Sequence, residues 1–384
     1  MRQRATRMLC LLLCLLLAAG AAGCALLPGS EPDFVADTAE LSIGSPYKHH
    51  FNRLSDTEKA AYNAILSVIS DFPQRIEIPA LTRNELNEMY AALLHDNPEL
   101  FFLSGDSVMR QIKKRTYIYP NYRMDVADYD AMSRKCSEIA AQILDEAREE
   151  KSVFGRERTV HDRLIAMCSY TDDEADIYRS TIYGALCGAE ASCEGYAKTA
   201  KYLLDQLDIP CFVVLGNSTP PGSRTQSHMW NAVQLNGNWY HLDLTWDDPV
   251  LEKGGQLIRY SYFNVTDETL AATHTDYDAG VVCDATQDNF FVHEKLLFTA
   301  FGEEESNRAA SYAAQVLNAG SDGFQLRFAD EAAYVNAQKT LFDEESIYAL
   351  LKQIEKKTEQ TFATDQVTYF TTDEEYTIEI LPVQ

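Results

Sequence analysis

Basic residues are scarce in this chain of 384 residues: 33 Lys and Arg stand against 58 Asp and Glu, a formal net charge of -25. That balance argues against nucleic acid and against peripheral binding to anionic lipid, both of which need a basic surface. Long apolar runs are scarce too. Beyond residue 24 no stretch reaches the roughly 18 apolar residues of a transmembrane helix. No CxxC pair occurs, so a structural zinc site is not expected. There is no internal repeat, and no low-complexity tract past residue 46. Tryptophan is limited to Trp230, Trp239 and Trp246, all in one short segment. The hydrophobic share, 46%, is that of a packed globular protein.

The chain opens with Arg2, Arg4 and Arg7, an apolar stretch over 8–19, and then small residues. This is the layout of a secretory leader, too short for a comfortable membrane span. Ala21-Ala22-Gly23-Cys24 resembles a bacterial lipobox. The resemblance implies that 1–23 are removed and that Cys24 carries a lipid; the alternative is an ordinary secretory signal cut nearby. Residues 24–46, with Pro28, Gly29, Ser30, Pro32, Gly44 and Pro46, read as a tether. The expected address is extracytoplasmic, with the body held at a bacterial membrane through Cys24. Past Cys24 six cysteines remain: Cys136, Cys168, Cys187, Cys193, Cys211 and Cys283. Such a compartment permits disulfides without the count demanding them. Cys187, close before Cys193, is read either as one arm of a regulatory bridge or as an inert thiol.

The expected fold class is α+β, in three folded regions. Residues 47–155 read as mostly helical. Ser55-Asp56-Thr57-Glu58 opens one helix, and Thr82 with Glu85 forms a capping box for the next, which Asn97-Pro98 stops. A Tyr-rich strand is expected over 115–124 and a long amphipathic helix over 129–150. Residues 156–285 hold the chemistry. A helix over 157–170 is followed by an irregular stretch over 171–192, and then by a helix starting near Cys193 with Tyr196, Ala197, Ala200, Leu203, Leu204 and Leu207 as one apolar stripe. Strands are expected over 212–215, 228–235, 238–245 and 260–265, with a short helix over 267–273. Residues 290–384 read as a small α+β unit: a strand over 324–328, helices over 330–342 and 344–357, and one or two strands over 366–381. No function is legible in that third region.

Asn236-Gly237 is a strong hairpin signal. With those two residues as the loop, Leu235 faces Asn238, Trp230 faces Asp243 and His228 faces Thr245. Alternation then puts His228, Trp230, Asp243 and Thr245 on one face. His228 and Asp243 become diagonal neighbours, close enough for a carboxylate-to-imidazole hydrogen bond. A one-residue slip in the turn would separate them. Cys193, at a helix start, meets unpaired N–H groups that favour a thiolate and can stabilise an oxyanion. A thiol, a base and an orienting carboxylate form the combination that nucleophilic catalysis uses. Tyr183, Gln226 and the tryptophans are the residues from which a second oxyanion donor could come. Trp230, Trp246 and Tyr183 are the expected cleft residues, with core as the alternative for the two tryptophans. His241-x-Asp243 offers too few ligands for a metal, so neither a metal nor a cofactor is expected.

Three words carry a resemblance: Cys193-Glu194-Gly195-Tyr196-Ala197, His228-Met229-Trp230-Asn231, and Trp239-Tyr240-His241-Leu242-Asp243 with Thr245-Trp246-Asp247. They resemble the transglutaminase-like superfamily, and Tyr262-Phe263-Asn264 with His274 resembles that core's tail. The likeness spans about 160–280. It implies a papain/transglutaminase-like core, a nucleophile helix packed on an antiparallel sheet. It also implies Cys193 as nucleophile, His228 as general base and acid, and Asp243 as orienter. The extra domains of the calcium-dependent animal transglutaminases are not seen, which sets calcium regulation and cross-linking behind hydrolysis. The expected activity is therefore a cysteine peptidase or amidase acting through a thioester on a cell-envelope peptide or protein. Protein-glutamine acyl transfer is the first alternative, and a non-catalytic binding or scaffolding lipoprotein the second.

Overall fold

The computed structural model describes residues 47–383 apart from 114, 221 and 250–254. The expected leader, tether and lipidation site at Cys24 lie outside the described residues. The first helices are α1 (His49–Arg53), α2 (Asp56–Leu66) and α3 (Arg83–Asp96). Ser55 and Thr82 close capping boxes with Glu58 and Glu85, as the sequence predicts. These helices pack with an antiparallel sheet of β1 (Ile76–Ile78), β3 (Arg115–Tyr122) and β2 (Leu103–Ile112), in the order β1-β3-β2. A core running from Phe51 through Met89 to Ile118 holds this part together.

Next come α4 (Val126–Glu149), α5 (Val153–Met167), β4 (Ser169–Tyr170), a five-residue π-turn at Gly184–Gly188, β5 (Glu190–Ala191) and α6 (Cys193–Asp205). The π-turn and β5 lie in the stretch expected to be irregular, whereas β4, parallel to β5, takes the last two residues of the helix expected over 157–170, which stops at Met167. The antiparallel sheet behind α6 runs β8-β7-β6-β9, from β6 (Cys211–Ser218), β7 (Gln226–Leu235), β8 (Asn238–Leu242) and β9 (His274–Thr275). Tyr196, Ala197, Ala200, Leu203 and Leu204 of α6 are buried, the stripe its spacing calls for. Asn231 of β7 donates its side-chain N–H to the Ala197 carbonyl at 2.9 Å, pinning the helix to the strand. The sheet's second layer is covered by Tyr262, Val265 and Leu270 against Phe212, Val214 and Trp230.

The remaining elements are α7 (Leu244–Asp247), α8 (Asp267–Leu270), α9 (Phe290–His293), β10 (Leu297–Phe298), α10 (Glu303–Asn318), β11 (Phe324–Phe328), α11 (Glu331–Gln338), α12 (Ile347–Glu355), β12 (Val367–Thr372) and β13 (Thr377–Pro382). The last strands form a mixed sheet, β10-β11-β13-β12. One hydrophobic cluster runs from Cys136 and Leu164 through Leu204 and Phe290 to Ile378. The protein is thus a mixed α+β structure with no closed sheet among the described residues.

Three local expectations are corrected. The strand expected over 238–245 stops at Leu242, because Asp243 caps a new helix with its side chain. Residues 260–265 are a turn with one bridge, His241 to Val265, rather than a strand. The helix over 267–273 is the single turn α8, since the chain swings back so that His274 and Thr275 extend the sheet.

Candidate functional site

The hairpin adopts the register read from its turn: Leu235 pairs with Asn238 and Asn231 with Leu242. Asn236 and Gly237 both have positive φ, 51° and 89°, as a tight two-residue turn requires. Beyond Leu242 the ladder ends, so the pairs Trp230–Asp243 and His228–Thr245 do not form. His228 pairs instead with Gly216 of β6.

Asp243 still reaches His228, by a different route. Its backbone N–H donates to the Tyr262 carbonyl at 3.1 Å. Its Oδ1 accepts from the N–H groups of Thr245 at 3.0 Å and Trp246 at 3.2 Å, starting α7. That cap aims Oδ2 at the sheet, where it lies 2.6 Å from Nε2 of His228 and 3.1 Å from Nε2 of His274. His274 is held in turn by Thr273 Oγ1, 2.9 Å from its Nδ1. In the sequence His274 stands out only as part of the tail that resembles the transglutaminase-like core, and no spacing there places a second imidazole on this carboxylate.

Burial by itself would raise the Asp243 carboxyl, but the two imidazoles hold it well below the usual carboxylate range. Burial likewise opposes charge on His228. The Asp243 carboxylate outweighs it, and the Cys193 thiol, in hydrogen-bond contact with the ring, adds to the effect; together they push His228 up to about 10. With Nε2 turned to Asp243, Nδ1 is the nitrogen left to serve the thiol. Cys193 is partly exposed, packs beside Val213 and Met229, and is the first residue of the 13-residue helix α6. Ser192 makes no side-chain cap there, so the N–H groups of the first turn are not taken up by it. The arrangement can hold a thiolate beside an imidazolium, offer a proton to a leaving group, and orient backbone N–H groups at developing negative charge.

Gly195 is needed for this placement. A Cβ there would lie 2.2 Å from the Arg179 carbonyl oxygen, which itself accepts the Ser192 N–H at 2.9 Å. Tyr170 is a neighbour absent from the sequence-level set. It pairs with Ala191, two residues before Cys193. Burial first, and then the charge of Cys193, raise its phenol.

Of the expected cleft residues, Trp230 is 1% exposed and belongs to the core: its indole N–H donates to Nδ1 of His241 at 3.0 Å. Its ring also stacks near His228, centroids 5.8 Å apart. Trp246 is half-buried, 6.3 Å from the His228 ring and 4.8 Å from His274, so it stands at the edge of the site. Tyr183 turns toward Phe101 and Tyr178, under the ammonium of Lys135. His241, Asp267 and Cys283 also gather within ligand range. The Trp230 N–H fixes the lone pair of His241 on Nδ1, so Nε2 carries the proton that faces Asp267 at 2.9 Å. That donor set suits a hydrogen-bonded core histidine better than a cation site.

Residues 137–244 match a domain of the transglutaminase-like superfamily. That segment includes Cys193, His228 and Asp243. Among solved structures, the chain is similar to a TGase at 17% identity and a TM-score of 0.26, covering 45% of this chain and 51% of that one. It is also similar to a "Putative Cysteine Protease from Cytophaga hutchinsonii" at 12% identity and a TM-score of 0.24, covering 36% of this chain and 61% of that one. The chain therefore spans less than two thirds of either structure's length. No curated protein matches it.

Proposed function

We propose that this chain is an extracytoplasmic cysteine hydrolase, anchored through a lipid on Cys24, that cleaves a peptide or amide bond of a cell-envelope substrate. The observation that carries the chemistry is the 2.6 Å contact between His228 Nε2 and Asp243 Oδ2, with the other side of the same ring on Cys193 at a helix start. The address rests on residues 1–24 alone, and the substrate class on the address.

In this reading Cys193 Sγ attacks the amide carbon and the carbonyl oxygen becomes an oxyanion. The Cys193 backbone N–H is one donor to it. The proton that His228 took from the thiol passes to the departing nitrogen, the C–N bond breaks, and a thioester remains. Water, deprotonated by the now neutral His228, attacks the thioester; the acid leaves and the thiol regains its proton. Asp243 keeps the imidazole in the tautomer that presents Nδ1 to sulfur throughout. An amine taking the place of water in the last step would give acyl transfer instead.

The test is reaction of the protein with an amide-mimicking thiol electrophile across pH 5–9, beside Cys193→Ala and His228→Ala. Selective labelling of Cys193 that slows in His228→Ala is the expected result. Labelling no faster than a free cysteine, and unchanged in His228→Ala, overturns the reading. Product analysis of a peptide library with and without a primary amine then separates hydrolysis from transfer.

A further inference from the structure

Cys136 and Cys187 place their sulfurs 3.6 Å apart although 51 residues separate them in the chain. Cys136 lies on the buried side of α4 and Cys187 in the π-turn that leads, through β5, to Cys193. A disulfide S–S bond is about 2.05 Å long, so the gap asks only for a small side-chain rotation. The two thiols differ in a useful way. Cys136 is 1% exposed, whereas Cys187 is half-buried and open to reagent. The hydrogen bond shared with Cys136 holds the Cys187 thiol below its usual range against the effect of burial, and the Lys135 ammonium adds to this. The same contact, with burial, pushes Cys136 up. The pair thus has an accessible attacking sulfur and a protected second sulfur. Burial raises the thiols of Cys168, Cys211 and Cys283, which lack that asymmetry.

We propose that Cys136 and Cys187 are a disulfide-forming pair, closed by exchange with a small disulfide oxidant, whose bond ties α4 to the π-turn ahead of the nucleophile helix. The Cys187 thiolate attacks one sulfur of the oxidant, the oxidant's S–S bond breaks, and one small thiolate leaves. Cys136 gives its proton to solvent and attacks the Cys187 sulfur of the mixed disulfide, releasing the second small thiolate. Two electrons pass to the oxidant, and the two protein thiols become one S–S bond. The π-turn packs against both α4 and α6, so the bond restrains the segment that carries Cys193. The inference stands on these two cysteines and is independent of the acyl chemistry proposed for Cys193.

The test is equilibration of the whole folded protein with mixtures of reduced and oxidised glutathione, acid quenching, and non-reducing peptide mapping by mass spectrometry. A Cys193→Ala background is run in parallel to remove a competing thiol. The expected result is a Cys136–Cys187 linked peptide that disappears with dithiothreitol. In Cys136→Ser, Cys187 should retain a glutathione adduct, and in Cys187→Ser, Cys136 should stay unmodified. Free alkylation of both cysteines at the most oxidising ratio, or pairing of Cys187 with any other cysteine, overturns the proposal. The wild-type map decides by itself if a variant fails to fold.

Discussion

Nε2 of His274 lies 3.1 Å from Oδ2 of Asp243, the same oxygen that meets His228. A fully buried carboxylate must be satisfied by hydrogen bonds, and Asp243 has two backbone N–H groups on one oxygen and two imidazoles on the other. On the proposed function His274 is expected to act as a positioning residue, through Asp243. His274→Phe should remove one donor and cost about 1–3 kcal/mol of stability. It should also leave more of the carboxylate's charge to His228, moving the alkaline limb of amide turnover above that of the wild type. A loss of stability with an unmoved limb would reduce His274 to scaffold.

Asp243→Asn separates the two duties of that side chain. An amide oxygen can still accept from Thr245 and Trp246, so α7 should stay capped and the loss in Tm should be small. The amide N–H₂, however, would be aimed at two Nε2 atoms. His228 would have to accept there and carry its proton on Nδ1, facing the sulfur, where it can no longer take the thiol proton. Turnover should fall by about 10²–10⁴-fold. With the carboxylate gone, the alkaline limb set by His228, expected near pH 10 in the wild type, should move down toward the ordinary histidine range. Pre-steady-state labelling and a pH–rate profile check both points; a wild-type profile in this variant would exclude Asp243 as orienter.

Another buried histidine, away from Asp243, should make the fold sensitive to base. His161 sits between Asp162 at 2.9 Å and Asp247 at 3.2 Å. Burial opposes its charge, but the two carboxylates raise it to about 9. Glu157, wholly buried, is pushed up to about 8 by desolvation. Both folded values lie above the unfolded ones, so the native state holds more protons. The His161 contribution is complete below about pH 6.5 and is lost as pH rises to about 9. Its size is of the order of 3 kcal/mol. The Glu157 contribution is lost over about pH 4.5–8. Denaturant midpoints should therefore fall between pH 6.5 and 9, and His161→Gln should flatten that fall. An unchanged slope in His161→Gln would show that the cluster is not the cause.

Much of this architecture follows from short-range signals, and what escapes has identifiable causes. The capping boxes at Ser55 and Thr82, the turn at Asn236-Gly237 and the α6 stripe are local, so sequence specifies them directly. The end of β8 is not local in the same way: Asp243 can continue a strand or cap a helix, and the Tyr262 carbonyl and two imidazoles decide between them. His274 reaches Asp243 across 31 residues of mostly irregular chain, for which no periodicity exists. Helix α10 escaped because its buried stripe is largely alanine, Ala309, Ala310, Ala313 and Ala314, a weak apolar signal. Strand β2 escaped because what makes it a strand is its pairing with β3, whose register shifts between Leu103 and Ser107.

Gly195→Ala tests whether the helix start is held as tightly as the geometry implies. A methyl group at this position would lie 2.2 Å from the Arg179 carbonyl and 2.9 Å from the Ala191 side chain, so either the 179–192 contact opens or α6 shifts. Overpacking of this kind costs about 1–3 kcal/mol. Because the contact includes the Ser192 N–H, the shift would fall on the residue next to Cys193. Labelling of Cys193 should slow more than the loss of folded protein explains, whereas labelling of Cys187, on the far side of β5, should keep its rate. Equal slowing at both cysteines would mean general loosening. Slowing at Cys193 alone would mean that the close approach of Gly195 to Arg179 sets the position of the nucleophile.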